Sequence, residues 1–150
     1  MGRYNAPASL ACGATAAKPM LVITGDGNVQ PEVIMLVAGF SATPDDKAYL
    51  FALYEVSDAG TGGTAITPKA IGHGGTSAVT AKKGTYTTDP TKTGVAMLQM
   101  PVYQRSSAKV QKARGEGYSP TAYASAKGLG IFVDVTPASI NSEFEQEWYE

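Results

Sequence analysis

The chain is poor in the side chains that most chemistry needs. It holds one cysteine, Cys12, and one histidine, His73, in 150 residues. A single cysteine excludes an internal disulfide. No His or Lys lies near Cys12 in sequence to lower its pKa, so it reads as a small structural residue and not as a reactive thiol. With one His and one Cys, a zinc site of the usual nitrogen and sulfur ligands is excluded as well. Charge is also scarce: Asp, Glu, Lys and Arg make up 17%, and the net charge is -1. A nucleic-acid binder carries a basic excess that this chain does not have. No apolar run approaches the ~18 residues of a membrane span; the longest, residues 33–40, has the length of a strand. The first residues lack the continuous apolar stretch of a signal peptide, and Ala6 stands where a myristoylation signal needs Ser or Thr.

Helix signals are equally thin. Apolar residues recur with a period of two, in short runs separated by Gly, Pro, Asp and Thr clusters. Residues 19–24 read as a first strand, followed by a tight turn at Gly25-Asp26-Gly27-Asn28. Residues 32–40 read as a central strand, apolar on both faces. Residues 47–57 alternate Tyr49, Phe51 and Leu53 against Leu50, Ala52, Tyr54 and Val56. A helix capped by Asp45 is the competing reading there, but the aromatic content favours strand. Residues 64–71 form a short strand that Pro68 pushes to an edge, and 82–93 read as a loop. Residues 94–103 form a strand that bulges or lies at an edge at Pro101. Residues 106–113 read as a polar, partly solvated strand, 128–136 as a strong strand, and 140–149 as the last. In that last strand Ile140, Phe144 and Trp148 share a face with Ser142 and Gln146, while Glu143, Glu145 and Glu147 line the other. The expected architecture is all-β: one antiparallel β-sandwich domain, jelly-roll-like, over residues 19–150. Residues 1–18, rich in Ala, Ser, Gly and Pro with no clear period, are expected to form an extended N-terminal arm.

Catalytic constellations are not found. His73 lies in a Gly-rich loop, and no G-x-S-x-G elbow accompanies it. Asp26-Gly27-Asn28 with Glu32 lacks the repeated ligands of a calcium loop. The glycine clusters at 60–63 and 72–75 have neither the Lys nor the βαβ setting of a phosphate loop. The expectation is a chain without catalytic residues, cofactor or metal. Two features invite an interaction reading. The ladder Glu143, Glu145, Glu147 and a basic segment upstream, Arg105, Lys109, Lys112 and Arg114, lie near the same end of the chain and read either as a solvated face or as an acidic-to-basic seam between subunits. Tyr118, Tyr123, Trp148 and Tyr149 could form a sugar-binding platform, as in a tail or fibre adhesin.

The second half of the chain carries a pattern of turns and strand ends: Gly84-Thr85, then Asp89-Pro90-Thr91, then Gln104-Arg105, then Gly128-Leu129-Gly130, and finally Trp148-Tyr149-Glu150. This pattern resembles a family of small tailed-bacteriophage virion structural proteins. Tyr103 stands where those chains usually have Asn. The resemblance implies a capsid decoration or cement protein on the outer capsid surface, made in the host cytoplasm. Its implied partners are the major capsid protein and sister subunits, as a homotrimer, with no nucleic acid and no membrane. The interface residues expected on this reading are Arg3, Tyr4 and Asn5 of the arm, Arg105 and Lys109 of the basic segment, and Glu143, Glu145, Trp148 and Tyr149 of the last strand.

Overall fold

The computed structural model describes residues 2–12, 18–41, 45–72, 74–121, 124–135 and 140–150; the side chain of Cys12, and with it His73 and Tyr123, lies outside the described part. Eleven strands follow one another: β1 (Arg3–Cys12), β2 (Lys18–Asp26), β3 (Glu32–Phe40), β4 (Ala48–Val56), β5 (Thr61–Ile66), β6 (Lys69–Ala70), β7 (Thr80–Thr88), β8 (Lys92–Tyr103), β9 (Ala108–Gln111), β10 (Ser125–Val135) and β11 (Ile140–Tyr149). No helix occurs among the described residues. The strands form two antiparallel sheets, ordered β6-β1-β11-β3-β9 and β5-β7-β2-β10-β4-β8.

The pairing has a simple logic. β1 pairs with β11, β2 with β10, β3 with β9 and β4 with β8. The chain is thus one long hairpin, folded at the β4–β8 end and rolled so that successive strand pairs fall in alternate sheets. This is the jelly roll. The segment between β4 and β8 adds three strands: β7 extends the six-stranded sheet beside β2, β5 pairs with β7, and β6 pairs with β1.

The inner faces interlock in one core. Tyr49, Phe51, Leu53, Leu129, Ile131 and Val133 from one sheet meet Leu36, Phe144 and Trp148 from the other. Phe40, Tyr49, Phe51 and Phe144 form an aromatic chain with ring centroids 4.7, 6.2 and 5.1 Å apart in succession. The burial of β11 follows the expected alternation, with Ile140, Ser142, Phe144, Gln146 and Trp148 inward.

Two expectations need correction. The segment set apart as an arm is in large part the first strand of the roll: Arg3–Cys12 pairs with β11 along its whole length, and Tyr4, Ala6 and Ala8 are buried in the core. Its alternation is written in Ala side chains, which carry little apolar signal. Pro7 is tolerated because β6 reaches only Tyr4 and Asn5, leaving the far side of β1 unpaired at Pro7. Much of 82–93, read as a loop, is strand β7. Its Thr and Lys side chains are largely solvated, and its pairing to β2 and β5 makes the strand, not an apolar face of its own.

Candidate interaction surfaces

The outer face of the five-stranded sheet carries the acidic ladder. The register sets Lys69, Asn5, Glu147, Met35 and Gln111 in one row, and Pro7, Glu145, Val37 and Lys109 in the next. Strands lie ~4.8 Å apart, so Lys69 and Lys109 flank the carboxylates at about 10 Å. The acids are not left to repel. Arg3 donates to Glu147 and forms an ion pair with it, and Asn5 donates to Glu145. The bond to Glu147 raises the pKa of Arg3 further above its ordinary value. Glu143 is exposed, opposite Ser9 and Gly39.

Acid and base therefore meet within one chain. Arg105, Glu143 and Glu145 line one shallow depression of ≈ 680 Å³ with Pro7, Val37 and Phe40. Arg105 itself pairs with Asp46 at 2.7 Å. Of the other expected interface residues, Tyr4 and Trp148 face inward and are stacked, centroids 6.3 Å apart, with Trp148 fully buried. They offer packing and no docking surface. Tyr149 is half-buried beside the Arg114 guanidinium, 5.3 Å from its ring. The four aromatics proposed as a sugar platform do not converge: Trp148 is in the core, Tyr118 packs against it, and Tyr123 lies outside the described residues.

Carboxylates near the open end of the sandwich serve as anchors. Glu32 accepts hydrogen bonds from the amides of Gly115 and Gly117 at 2.5 and 2.9 Å. Glu55 accepts from the amide and hydroxyl of Thr121 at 3.2 and 2.9 Å. Between them Val33 and Tyr118 exchange backbone bonds of 2.8 and 2.9 Å. The connection after β9 is thus strapped across the end of the core. Glu150 performs a similar task, accepting from the amides of Ala78 and Val79 and from the Trp148 indole. Sequence reasoning missed all three anchors, because no local pattern marks a carboxylate whose donors lie tens of residues away.

The outer face of the six-stranded sheet is different in kind. At its middle, Lys92 lies over the rings of Tyr54 and Phe132, at 4.1 and 4.5 Å, and pairs with Asp134 at 2.9 Å. Tyr54 donates its hydroxyl to Asp134 at 2.5 Å; that bond, with burial, pushes its pKa up to about 12. Gly130 leaves room for this cluster, since a Cβ there would stand 2.8 Å from the Phe132 ring. Gly128 is required by a closer approach: its Cβ would collide with the Ile23 carbonyl and come within 2.7 Å of the Thr24 Cα. Toward the β8 edge the face becomes apolar. Val95 is 86% exposed, Tyr103 64%, Val135 52% and Met97 37%.

A second depression, of ≈ 390 Å³, lies beside Leu10, Met20 and Tyr86, with Lys18 paired to Asp89 at 2.6 Å at its margin. Burial raises the pKa of Tyr86, so its hydroxyl stays protonated. No group of three or more His, Cys, Asp or Glu side chains among the described residues is placed to hold a metal. Comparison of the chain with family models, with curated proteins and with solved structures finds no match.

Proposed function

We propose that this chain is a virion structural protein of a tailed bacteriophage, a decoration or cement protein that stabilises the head shell by contact with the major capsid protein and with sister subunits. The observation that carries the reading is the jelly-roll pairing of the chain. That architecture is used repeatedly for capsid proteins, and it comes here with the turn pattern that resembles the phage family. A fold of this kind also serves lectins, so the fold is support by analogy. Two physical features add to it. The sandwich is tied at its end by carboxylate anchors, which suits a stiff body under load. It also presents large apolar side chains to solvent, which suits a surface meant to be covered. On this reading the chain performs no catalysis.

The test is binding to shells. The purified chain is mixed with undecorated capsids of the phage that encodes it, and the pellet is quantified after sedimentation. Saturable co-sedimentation in a fixed ratio to the major capsid protein is expected. Failure to bind, or a few copies confined to one vertex, would refute a cement role.

A further inference from the structure

Five large apolar side chains are exposed among the described residues, and two of them, Tyr103 and Val135, lie at one corner of the six-stranded sheet, beside Ala48 and Leu50 of β4. The register shows why they form one surface. Tyr103 stands opposite Ala48; Pro101, Leu50 and Val135 form the next row; Gln99, Ala52 and Phe132 form the third. The neighbours of these residues along each strand, Tyr49, Phe51, Met100, Val102 and Val133, point into the core. The first two rows therefore face outward together without a charge; in the third, Ala52 and Phe132 are buried, and Asp134, between Phe132 and Val135, is paired with Lys92 on the same face.

The edge of β8 itself is closed to a further strand. Pro101 has no amide proton to give. Between the pairs Leu53–Leu98 and Glu55–Thr93, β8 advances five residues while β4 advances two, so Gly94, Val95, Ala96 and Met97 bulge out of the ladder. Whatever covers this corner comes onto the face, not alongside the edge.

The rim says what that is. Just past Tyr103 and Ala48, Lys47 pairs with Asp45 at 2.9 Å and Arg105 with Asp46 at 2.7 Å. All four side chains are 41–85% exposed, so these pairs are weak and can exchange partners. A polyanion or an anionic surface would meet two carboxylates here. A surface with equal charge of both signs is complementary to itself. We infer that the outer corner formed by Leu50, Pro101, Tyr103 and Val135 is a self-association surface, covered by the same corner of sister copies of this chain. Arg105 and Lys47 of one copy then face Asp45 and Asp46 of the next. The near-neutral net charge of -1 imposes little repulsion on such a contact. The inference deepens the sister-subunit part of the reading above and assigns it a place.

Sedimentation velocity of the full chain at high micromolar concentration tests it. Wild type should sediment as a homo-oligomer. Tyr103→Asp and Val135→Asp, both at exposed positions, should each weaken association about tenfold or more and release the 15.6 kDa monomer, with thermal unfolding unchanged. Ile71→Asp, an exposed apolar position beside the other sheet, should leave the oligomer intact. A monomeric wild type overturns the inference, and so does an oligomer that survives both corner substitutions. The same variants are carried through the shell-binding measurement. Loss of self-association with shell binding retained supports the corner and leaves the capsid role standing. A wild type that self-associates, loses its association in both corner variants and still does not bind shells upholds the corner and rejects the capsid role.

Discussion

Gln146 is the residue whose environment is least like its chemistry. It is fully buried on the inner face of β11, between Ala6 of β1 and Leu36 of β3. Neither its amide nitrogen nor its carbonyl oxygen has a hydrogen-bond partner among the described residues. The other buried polar side chains nearby are satisfied. Ser142 donates to the Leu10 carbonyl at 3.1 Å, and Gln104 donates to the Tyr49 hydroxyl at 2.8 Å while accepting from the Asp45 amide. A buried polar group without partners costs about 1–3 kcal/mol. Gln146→Leu keeps the volume and removes the polar atoms, so it should raise stability by about 1–2 kcal/mol, or a Tm gain of roughly 2–4 °C per kcal/mol in a chain of this size. A calorimetric scan decides it. A lowered Tm would mean that an internal water completes the hydrogen bonds of Gln146 and that the substitution evicts it. The motif residues tell the complementary story. Gly128 and Gly130 permit close approach, Gln104 bridges a loop to the core, and Trp148 is core itself. The resemblance was carried by positions that build the roll.

At the scale of elements, the strap after β9 hangs on two carboxylates. Removing Glu55 takes away the acceptor of the Thr121 amide and hydroxyl. Glu55→Ala should cost about 1–3 kcal/mol. It should also speed amide exchange at Thr121, and at Tyr118 to a lesser degree, since the Val33–Tyr118 bridge remains. Exchange measured by mass spectrometry on peptides covering 112–121 reads the effect; unchanged protection there would show that the backbone bridge alone holds the strap. What could be read in the sequence follows the same division between local and distant partners. β3 and β11 match their expected bounds, β3 because it is an apolar run on both faces set off by turns, and β11 because its ten residues alternate in kind. Pro68 splits one expected strand in two, β5 and β6, which end up at the edges of opposite sheets. β7 was hidden because it has almost no apolar face, and β1 because Ala supplies its alternation. The acidic ladder was legible as a stripe. Its neutralisation was not, because Arg3 and Asn5 reach it only through the closure of first strand on last.

For the whole molecule, rolling one hairpin into two sheets creates four edges, and each is blunted in its own way. β6 has two residues and β9 four; β5 is irregular, with positive φ at Gly62 and Gly63; β8 has its bulge and Pro101. These are the devices that keep sheets from stacking edge to edge, so contact is confined to faces. The same closure makes β1 indispensable: deleting residues 1–18 would uncover β11 and remove Tyr4, Ala6 and Ala8 from the core, so it would test folding and not docking. The pH range over which the roll is stable has a working limit on each side. On the acid side, three carboxyls have pKa values below their ordinary range. The Thr91 hydroxyl, with the amides of Gly60 and Thr91, holds Asp58 down; the amides of Asn28 and Val29 hold Asp26; Lys47 and the Asp46 amide hold Asp45. A depressed carboxyl stabilises the fold above its unfolded pKa and ceases to do so as pH falls through the folded value, so stability should begin to fall below about pH 4. On the alkaline side the sign reverses. Tyr54 is raised from 10.0 to about 12 by the hydrogen bond to Asp134, so its contribution is complete below pH 10 and is lost as pH rises toward 12. The loss is of the order of 1 kcal/mol once solvent screening of this half-buried group is allowed for. The measurement is a difference: melting curves of wild type and Tyr54→Phe at pH 9 and pH 11.5. The phenylalanine variant should be the less stable at pH 9 and should lose less on going to pH 11.5. Parallel losses in the two proteins would show that the Tyr54–Asp134 bond has no part in alkaline unfolding.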